Sequence, residues 1–326
     1  MRALLCTEHG LPDKLVLAND VEAPEPGTGQ VVIGVKAAGL NFPDVLIIQG
    51  KYQFQPEMPF SPGGECAGEI IAVGEGVERW SVGDKVVAMT GSGAFREQLA
   101  VDQNGVMPMP EGLDFSQAAG VAMTYFTSYH ALKQRADLKE GETLLVLGAA
   151  GGVGSTAVEL GKYMGARVIA AASSEEKLAL CKELGADETI NYSEQDLKGA
   201  IKELTGGKGV DVVYDPVGGD YAEPALRGMA WNGRYLVIGF ASGPIPEIPL
   251  NLALLKGCSI VGVFWGRFIA EEPAVHVKNI EELWGLFAEG KLKPAINDVF
   301  PLADYEQAYE VMMERRARGK VILTMD

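Results

Sequence analysis

The sequence predicts an α/β protein of two domains: a mostly β domain and, inserted into it, a doubly wound parallel sheet. Three observations predict this. Residues 1 to about 120 are short β-like runs broken by glycine and proline. From about Met123 the texture changes to alternating strand and helix patterns, as parallel strands with right-handed crossovers require. After about Gly266 the alternation stops, and the remaining segment is too short for a third domain. That tail is expected to pack back onto the first domain. The expected boundaries are 1–122 with 266–326 for one domain and 123–265 for the other.

The second domain opens on TLLVLGAAGGVGSTAVELGKYMGARVIAAASS, Thr143 to Ser174. Thr143 to Leu147 has the length and apolar character of a buried parallel strand. A glycine-dense turn follows, Gly148-Ala149-Ala150-Gly151-Gly152-Val153-Gly154. Val153, Ala157, Leu160 and Met164 then fall on one helical face, Gly165 ends the helix, and Arg167 to Ala172 reads as the next strand. In such a βαβ unit the glycines let a pyrophosphate approach the backbone, and the helix N-terminus offers N–H groups and a favourable dipole. Ala149 stands where the first glycine of G-x-G-x-x-G belongs, and the turn alone also suits a ligand-free strand-to-helix junction. The strand before it and the helix after it favour the dinucleotide reading. Ala150, Gly151, Gly152, Val153 and Gly154 are the candidate phosphate contacts.

Further strands are expected at Thr189 to Asn191, Val210 to Tyr214, Arg234 to Gly239 and Ser259 to Phe264. Helices are expected at Glu175 to Leu184, closed by Gly185, and Leu197 to Leu204, closed by Gly206. In the first domain Val31 to Ala38, Gly68 to Val73 and Lys85 to Met89 are strand candidates, with Gly83-Asp84 a turn and Pro24 to Gly29 a loop. Phe115 to Leu132 carries a helical pattern with Ser116 as its cap. In the tail, Ile280 to Ala288 and Tyr305 to Met313 read as helices and Gly319 to Thr324 as a last strand.

Composition narrows the function classes. With 47% hydrophobic and 22% charged residues the chain reads as an ordinary globular protein. A net charge of −16 argues against nucleic acid or an acidic membrane surface as partner, and requires a locally basic pocket for any anionic ligand. Cys6, Cys66, Cys181 and Cys258 are scattered without metal-type pairs, which favours free thiols in a reducing compartment. The N-terminus MRALLCTEHG lacks the apolar run of a signal peptide, so the expected location is cytoplasmic.

With these residues in hand, the chain resembles the medium-chain dehydrogenase/reductase superfamily, and within it the zinc-free quinone oxidoreductases. The carriers run nearly end to end: Ala37-Ala-Gly-Leu-Asn41-Phe-Pro-Asp44, Gly50-Lys-Tyr52, Pro62-Gly-Gly-Glu65-Cys-Ala-Gly68-Glu, Val82 to Val86, Met123 to Leu132, Ala149 to Gly154, Leu184-Gly-Ala-Asp187 and Arg318-Gly-Lys320. The resemblance implies a GroES-like β domain, an inserted Rossmann domain and an active site in the cleft between them. The family's zinc enzymes place a cysteine where Leu40-Asn41 lies here, and a histidine before the glutamate where this chain has Gly64-Glu65. Neither ligand is present, nor is the four-cysteine structural cluster. No zinc is therefore expected, and without a Lewis acid to ionise an alcohol, alcohol oxidation is not.

What remains is hydride donation to an electrophilic acceptor, which needs a rigidly held nicotinamide and donors near the oxygen that gains charge. Asn41 and Tyr52 are the catalytic candidates as donors; Asn41 is also expected to contact the nicotinamide ribose or substrate, unless it is a turn residue before Pro43. Asp44 and Glu65 are expected to be structural. Thr127 and His130 are candidate cofactor contacts on a helix where packing is the alternative. Gly239, Phe240 and Ser242, with Phe264 and Trp265, are expected to complete the pocket at strand C-termini. No Asp or Glu stands at Ala171-Ala172-Ser173-Ser174, where NAD-selective units hold a ribose 2′-OH. The family's NADP-dependent members carry a Lys and a Tyr where Lys177 and Tyr192 stand, so NADPH is the expected cofactor, with Ser173 as a further contact or, with Glu176, a capping box. In relatives the strand from Ser259 to Phe264 pairs across a two-fold axis, which implies a homodimer. The implied function is NADPH-dependent reduction of a quinone. The alternatives are reduction of a carbonyl-conjugated alkene and, in a different class, a non-catalytic NADPH-binding protein of the crystallin kind.

Overall fold

The computed structural model describes residues 1–325. The chain separates into two compact units, Met1–Met123 together with the residues from Lys293 onward, and Thr124–Leu292.

The first unit begins with an antiparallel pair, β1 (Ala3–Cys6) and β2 (Leu15–Ala18). Its main sheet is built on β3 (Gln30–Leu40), which pairs antiparallel with both β4 (Glu65–Val73) and β6 (Gln98–Asp102); β5 (Lys85–Met89) and β7 (Val106–Pro108) extend it beyond β4. Gly68 is required here, because a Cβ would lie 2.2 Å from the Gly34 carbonyl of the neighbouring strand. Helix α1 (Phe42–Ile48) starts directly where β3 ends, with the Asn41 backbone N–H donating to Asp44 Oδ2 at 2.7 Å.

The single helix expected over Phe115 to Leu132 is in fact three pieces. Helix α2 (Phe115–Ala118) is capped by Asp114, not Ser116: Asp114 Oδ1 accepts from the Gln117 N–H at 2.8 Å and Gln117 returns the bond to Asp114. Gly120 interrupts the run, α3 (Ala122–Tyr129) resumes it, and His130–Arg135 is a π-helical turn.

In the second unit six strands, β8 (Thr143–Leu147), β9 (Arg167–Ala172), β10 (Glu188–Asn191), β11 (Val210–Asp215), β12 (Met229–Val237) and β13 (Ser259–Gly262), form one all-parallel sheet. Its order is β10-β9-β8-β11-β12-β13, with β8 at the point where the winding reverses and β13 at the edge. Helices α4 (Gly152–Tyr163), α5 (Glu175–Glu183), α6 (Leu197–Leu204), α7 (Ala222–Arg227) and α8 (Asn251–Lys256) carry the crossovers. The central strands are buried on both faces, as their unbroken apolar runs require.

The expected boundary at residue 266 is corrected. Helices α9 (Trp265–Glu271) and α10 (Pro273–Ala288) belong to the second unit, which extends to Leu292. Aromatic packing places them there. Phe126 stacks on Trp284 at 5.4 Å and meets His276 edge-on at 5.2 Å, Tyr125 meets Phe287 at 4.9 Å, and His130 stacks on Phe268 at 3.8 Å. The tail that returns to the first unit is β14 (Ile296–Pro301), α11 (Tyr305–Met313) and β15 (Lys320–Thr324). There β15 pairs antiparallel with β3, giving the order β14-β15-β3-β4-β5-β7. Among the described residues no helix is long and apolar enough to cross a membrane.

Phe126 is the hub of that aromatic cluster and is 1% exposed. Phe126→Ala should destabilise the protein by about 3–5 kcal/mol and shift the tryptophan emission in chemical denaturation, since Trp265 and Trp284 both lie against its ring. A loss below about 1 kcal/mol would be the mark of a surface site.

Candidate functional site

The glycine turn sits at the C-terminal end of β8, the switch point of the parallel sheet. Gly148 has φ +56°, and Gly151 caps α4 in an extended conformation without any side-chain cap bond. Gly154 has no room for a side chain: a Cβ would lie 2.2 Å from the Gly148 carbonyl oxygen. Ala149 and Ala150 are buried, so an alanine at the first motif position is packed within the turn. A hydroxyl network holds the turn from beneath. Ser128 Oγ donates to the Val153 carbonyl at 3.0 Å and is 2.8 Å from both Thr156 Oγ1 and Tyr214 Oη. The cradle is shaped for backbone approach by a phosphate and fits a dinucleotide pyrophosphate.

At the neighbouring end of β9 the predicted selectivity residues converge. Asn191 of β10 pairs with Ala172 of β9, so Tyr192 follows directly beside Ser173; its N–H donates to the Ala172 carbonyl at 3.1 Å. Lys177 Nζ donates to Ser173 Oγ at 3.2 Å, and the Tyr192 ring lies 4.3 Å from that of Tyr221. The cap of α5 is Ser174, accepting from the Lys177 N–H, and not Ser173; the Ser173 hydroxyl instead faces the lysine. Glu175 turns its carboxylate to the Asn191 side-chain amide at 3.0 Å.

The remaining candidates of this unit are more scattered. Thr127 is half-buried on α3. His130 is buried against Phe268, 3.2 Å from Gln134 Oε1, and burial lowers its pKa, so packing is its evident role. Gly239, Phe240 and Ser242 follow β12 and fold over the Gly218-Gly219 loop: a Cβ on Gly218 would meet the Phe240 ring at 2.9 Å, and one on Gly219 would meet Ser242 Oγ at 2.5 Å. Phe264 is 60% exposed, whereas Trp265 is buried against Phe126 and His276. The two were expected to wall a pocket together; they point to different surroundings. Sequence reasoning missed Asp215, which fixes that loop by accepting from the Val217 and Gly218 N–H groups at 2.8 Å each and from Tyr235 Oη. Its only sequence signal was an acidic residue at the end of an apolar strand.

In the first unit Asn41, Asp44 and Glu65 form one buried cluster with Lys320. Asn41 Nδ2 donates to Glu65 Oε1 at 2.9 Å and to the Gly39 carbonyl at 3.3 Å. Lys320 Nζ donates to Asn41 Oδ1 and to Glu65 Oε1, the latter at 2.6 Å. The other carboxylate oxygen, Glu65 Oε2, accepts from the Met123 N–H at 2.8 Å. Asn41 was expected to donate to substrate; both of its amide hydrogens are already committed. Tyr52 is half-buried beside this cluster, and burial, then the Asp44 charge, raises its phenol pKa, keeping the hydroxyl a donor. Among the described residues no group of three or more His, Cys, Asp or Glu is placed to hold a metal ion.

Comparison with known proteins matches the family profile "Alcohol dehydrogenase GroES-like domain" to residues 27–111 and "Zinc-binding dehydrogenase" to residues 152–282. A "Quinone oxidoreductase-like protein 2 homolog" of Nematostella vectensis is 40% identical over 325 residues, 99% of this chain and 88% of that one. The structure of Escherichia coli quinone oxidoreductase complexed with NADPH superposes with a TM-score of 0.92 at 30% identity, covering 99% of this chain and 100% of that one. The CurK enoyl reductase structure superposes with a TM-score of 0.90 at 29% identity, covering 100% and 99%.

Burial raises the Asp44 carboxyl from its ordinary 3.8 to about 7, despite the Asn41 N–H and the Lys320 charge that pull it down. Between those two values the folded protein binds more protons than the unfolded chain, so Asp44 makes stability fall as pH rises from about 4 to about 7. Asp44→Asn, which keeps an acceptor for the Asn41 N–H, should abolish that fall. Urea denaturation in pH steps should show the variant gaining on the wild type by up to about 4 kcal/mol across the window. Parallel profiles would refute the assignment.

Proposed function

Because the chain belongs to the medium-chain dehydrogenase/reductase superfamily as a quinone oxidoreductase-like protein, we propose that it is an NADPH-dependent, metal-independent reductase that transfers a hydride to a quinone. The observation that carries this reading is Lys177 Nζ meeting Ser173 Oγ at the end of β9, with Tyr192 following β10 alongside and the Glu175 carboxylate turned to Asn191. In the bound state the amides at the start of α4 would hold the pyrophosphate, and Lys177 with Ser173 and Tyr192 the 2′-phosphate. The nicotinamide supplies the hydride. Gly239, Phe240 and Ser242 are assigned to its carboxamide end, Thr127 is kept as a peripheral contact, and Tyr52 is the proposed donor to the acceptor oxygen.

Metal independence rests on the residues at the family's ligand positions, Leu40-Asn41 and Gly64-Glu65. Reduction of a carbonyl-conjugated alkene is the second reading, favoured by the likeness to an enoyl reductase over the whole chain. The proposed assembly is a cytoplasmic homodimer through the edge strand β13. In its support Ile260 on that strand and Leu254, Leu255 and Trp231 of the same unit are exposed.

NADPH oxidation followed across a panel of quinones and enones, with and without a chelator, tests the reading. Quinone turnover that survives chelation supports it; preferential enone turnover moves the protein to the second reading, and zinc-restored activity overturns metal independence. On the same panel Tyr52→Phe should lower kcat by about ten- to a thousand-fold while NADPH affinity holds. An unchanged kcat would make Tyr52 a packing residue. Lys177→Ala should raise KM for NADPH by about ten- to a hundred-fold, the worth of a charge-assisted bond, and leave NADH nearly untouched. Equal losses for both cofactors would refute the 2′-phosphate assignment.

A further inference from the structure

The geometry points to a role for two residues that the proposed function leaves idle: Lys320 and Glu65 are positioning residues that lock the Asn41 side-chain amide in one orientation, so that Asn41 offers a ligand an acceptor and never a donor. The inference rests on the reading that the chain binds a nicotinamide nucleotide.

The lock follows from hydrogen-bond polarity. An ammonium can only donate and a carboxylate can only accept. Lys320 Nζ faces Asn41 Oδ1 and Glu65 Oε1 faces Asn41 Nδ2. Flipping the amide by half a turn would set N–H against ammonium and carbonyl against carboxylate, two repulsive contacts in a site where Asn41 is 6%, Glu65 0% and Lys320 4% exposed. The orientation is therefore dictated by the neighbours. It consumes both amide hydrogens, one on Glu65 and one on the Gly39 carbonyl, and leaves Oδ1, facing Lys320, as the amide's accepting atom.

The site is built to hold this pair. Two glycines clear a channel for the lysine stem: a Cβ on Gly39 would lie 2.8 Å from Lys320 Cε and 2.7 Å from Glu65 Oε1, and one on Gly120 would lie 2.9 Å from Lys320 Cγ. The Met123 N–H occupies the second Glu65 oxygen, so the carboxylate cannot turn away. A buried ion pair is weak evidence for stability, because desolvation offsets most of its attraction. A pair whose every bond orients one amide is explained by that orientation.

An acceptor-only Asn41 selects a ligand group carrying a hydrogen to donate. On a nicotinamide nucleotide these are the ribose hydroxyls and the carboxamide NH₂. The reduced acceptor's developing oxyanion is excluded, since it needs a donor.

The test uses the full chain and NADPH. Lys320→Met/Glu65→Gln removes both charges of the pair together and frees the amide to flip. Its NADPH dissociation constant, from fluorescence titration, should rise about tenfold, the worth of one hydrogen bond. The loss should fall in that constant far more than in kcat, at a melting temperature close to wild type. An unchanged constant in the folded variant overturns the positioning role. A loss that persists with the 3-acetylpyridine analogue of NADP assigns the ribose hydroxyl; one that disappears with it assigns the carboxamide.

Polarity is tested separately by rescue. Asn41→Asp sets two carboxylates together and should weaken binding; adding Glu65→Gln restores a donor opposite an acceptor and should recover most of the loss. If Asn41 were a donor to the ligand, the second change would recover nothing, and that result overturns the inference. For a variant that does not fold, the wild type still decides. In spectra of ¹⁵N-asparagine-labelled protein both Asn41 side-chain protons should be protected from exchange and hardly shift on adding NADPH. A large shift of either proton contradicts an acceptor-only role. No NADPH binding at all in the wild type would instead sink the proposed function and leave the amide lock standing on its own resonances.

Discussion

The register of β15 against β3 is the constraint on which the first unit depends. Val321 pairs with Leu40 and, on the other side of β3, Gly39 pairs with Glu65. Those two registers set Lys320, Asn41 and Glu65 side by side, from three points of the chain separated by 24 and 255 residues. A slip of one residue in either pairing would turn the side chains to the opposite face. The pairing also explains why the second unit is an insertion: the chain must come back to complete a sheet it left at Met123.

The second unit depends on a different economy of atoms. Its turn after β8 is closed by contacts that only glycine permits, Gly154 against the Gly148 carbonyl above all. Beneath it Ser128, Thr156 and Tyr214 tie the first turn of α4 to α3 and to β11 through one hydroxyl cluster. At the ends of β9 and β10 the parallel register sets Tyr192 beside Ser173, while Asn191 draws Glu175 aside. Local backbone geometry, the Asn191 amide and the Ser173 hydroxyl thus arrange the few charges at this end of the sheet in a strongly acidic protein. Net charge governs solubility and long-range steering; it does not decide a pocket.

Buried polarity in the two units is handled in the same way. Glu65 and Asp215 accept from named partners, backbone N–H groups among them, and both hydrogens of the Asn41 amide are committed. At Asp44 burial outweighs the partners and pushes the carboxyl up to about 7, and burial raises Asp215 as well.

Sequence alone determined the alternation of strand and helix from β8 onward, the inserted parallel sheet, the glycine turn and the absence of a carboxylate after β9, because each is a local pattern: apolar period, turn chemistry, or a residue type at a fixed offset. It also put Lys177 and Tyr192 just past the ends of two neighbouring strands, since strand ends are legible from apolar runs. Tertiary structure decided the rest. Helices α9 and α10 join the second unit because Phe126, Tyr125 and His130 hold their aromatic faces, a preference that periodicity cannot express. The caps moved to Asp114 and Ser174, since a cap is settled by backbone geometry as well as by residue type. Lys320 was one more lysine beside a glycine until strand pairing brought it to Asn41. Nor does an asparagine's place in a motif say whether it donates or accepts: that depends on which charges stand on either side of its amide, and strands far apart in the chain supply them.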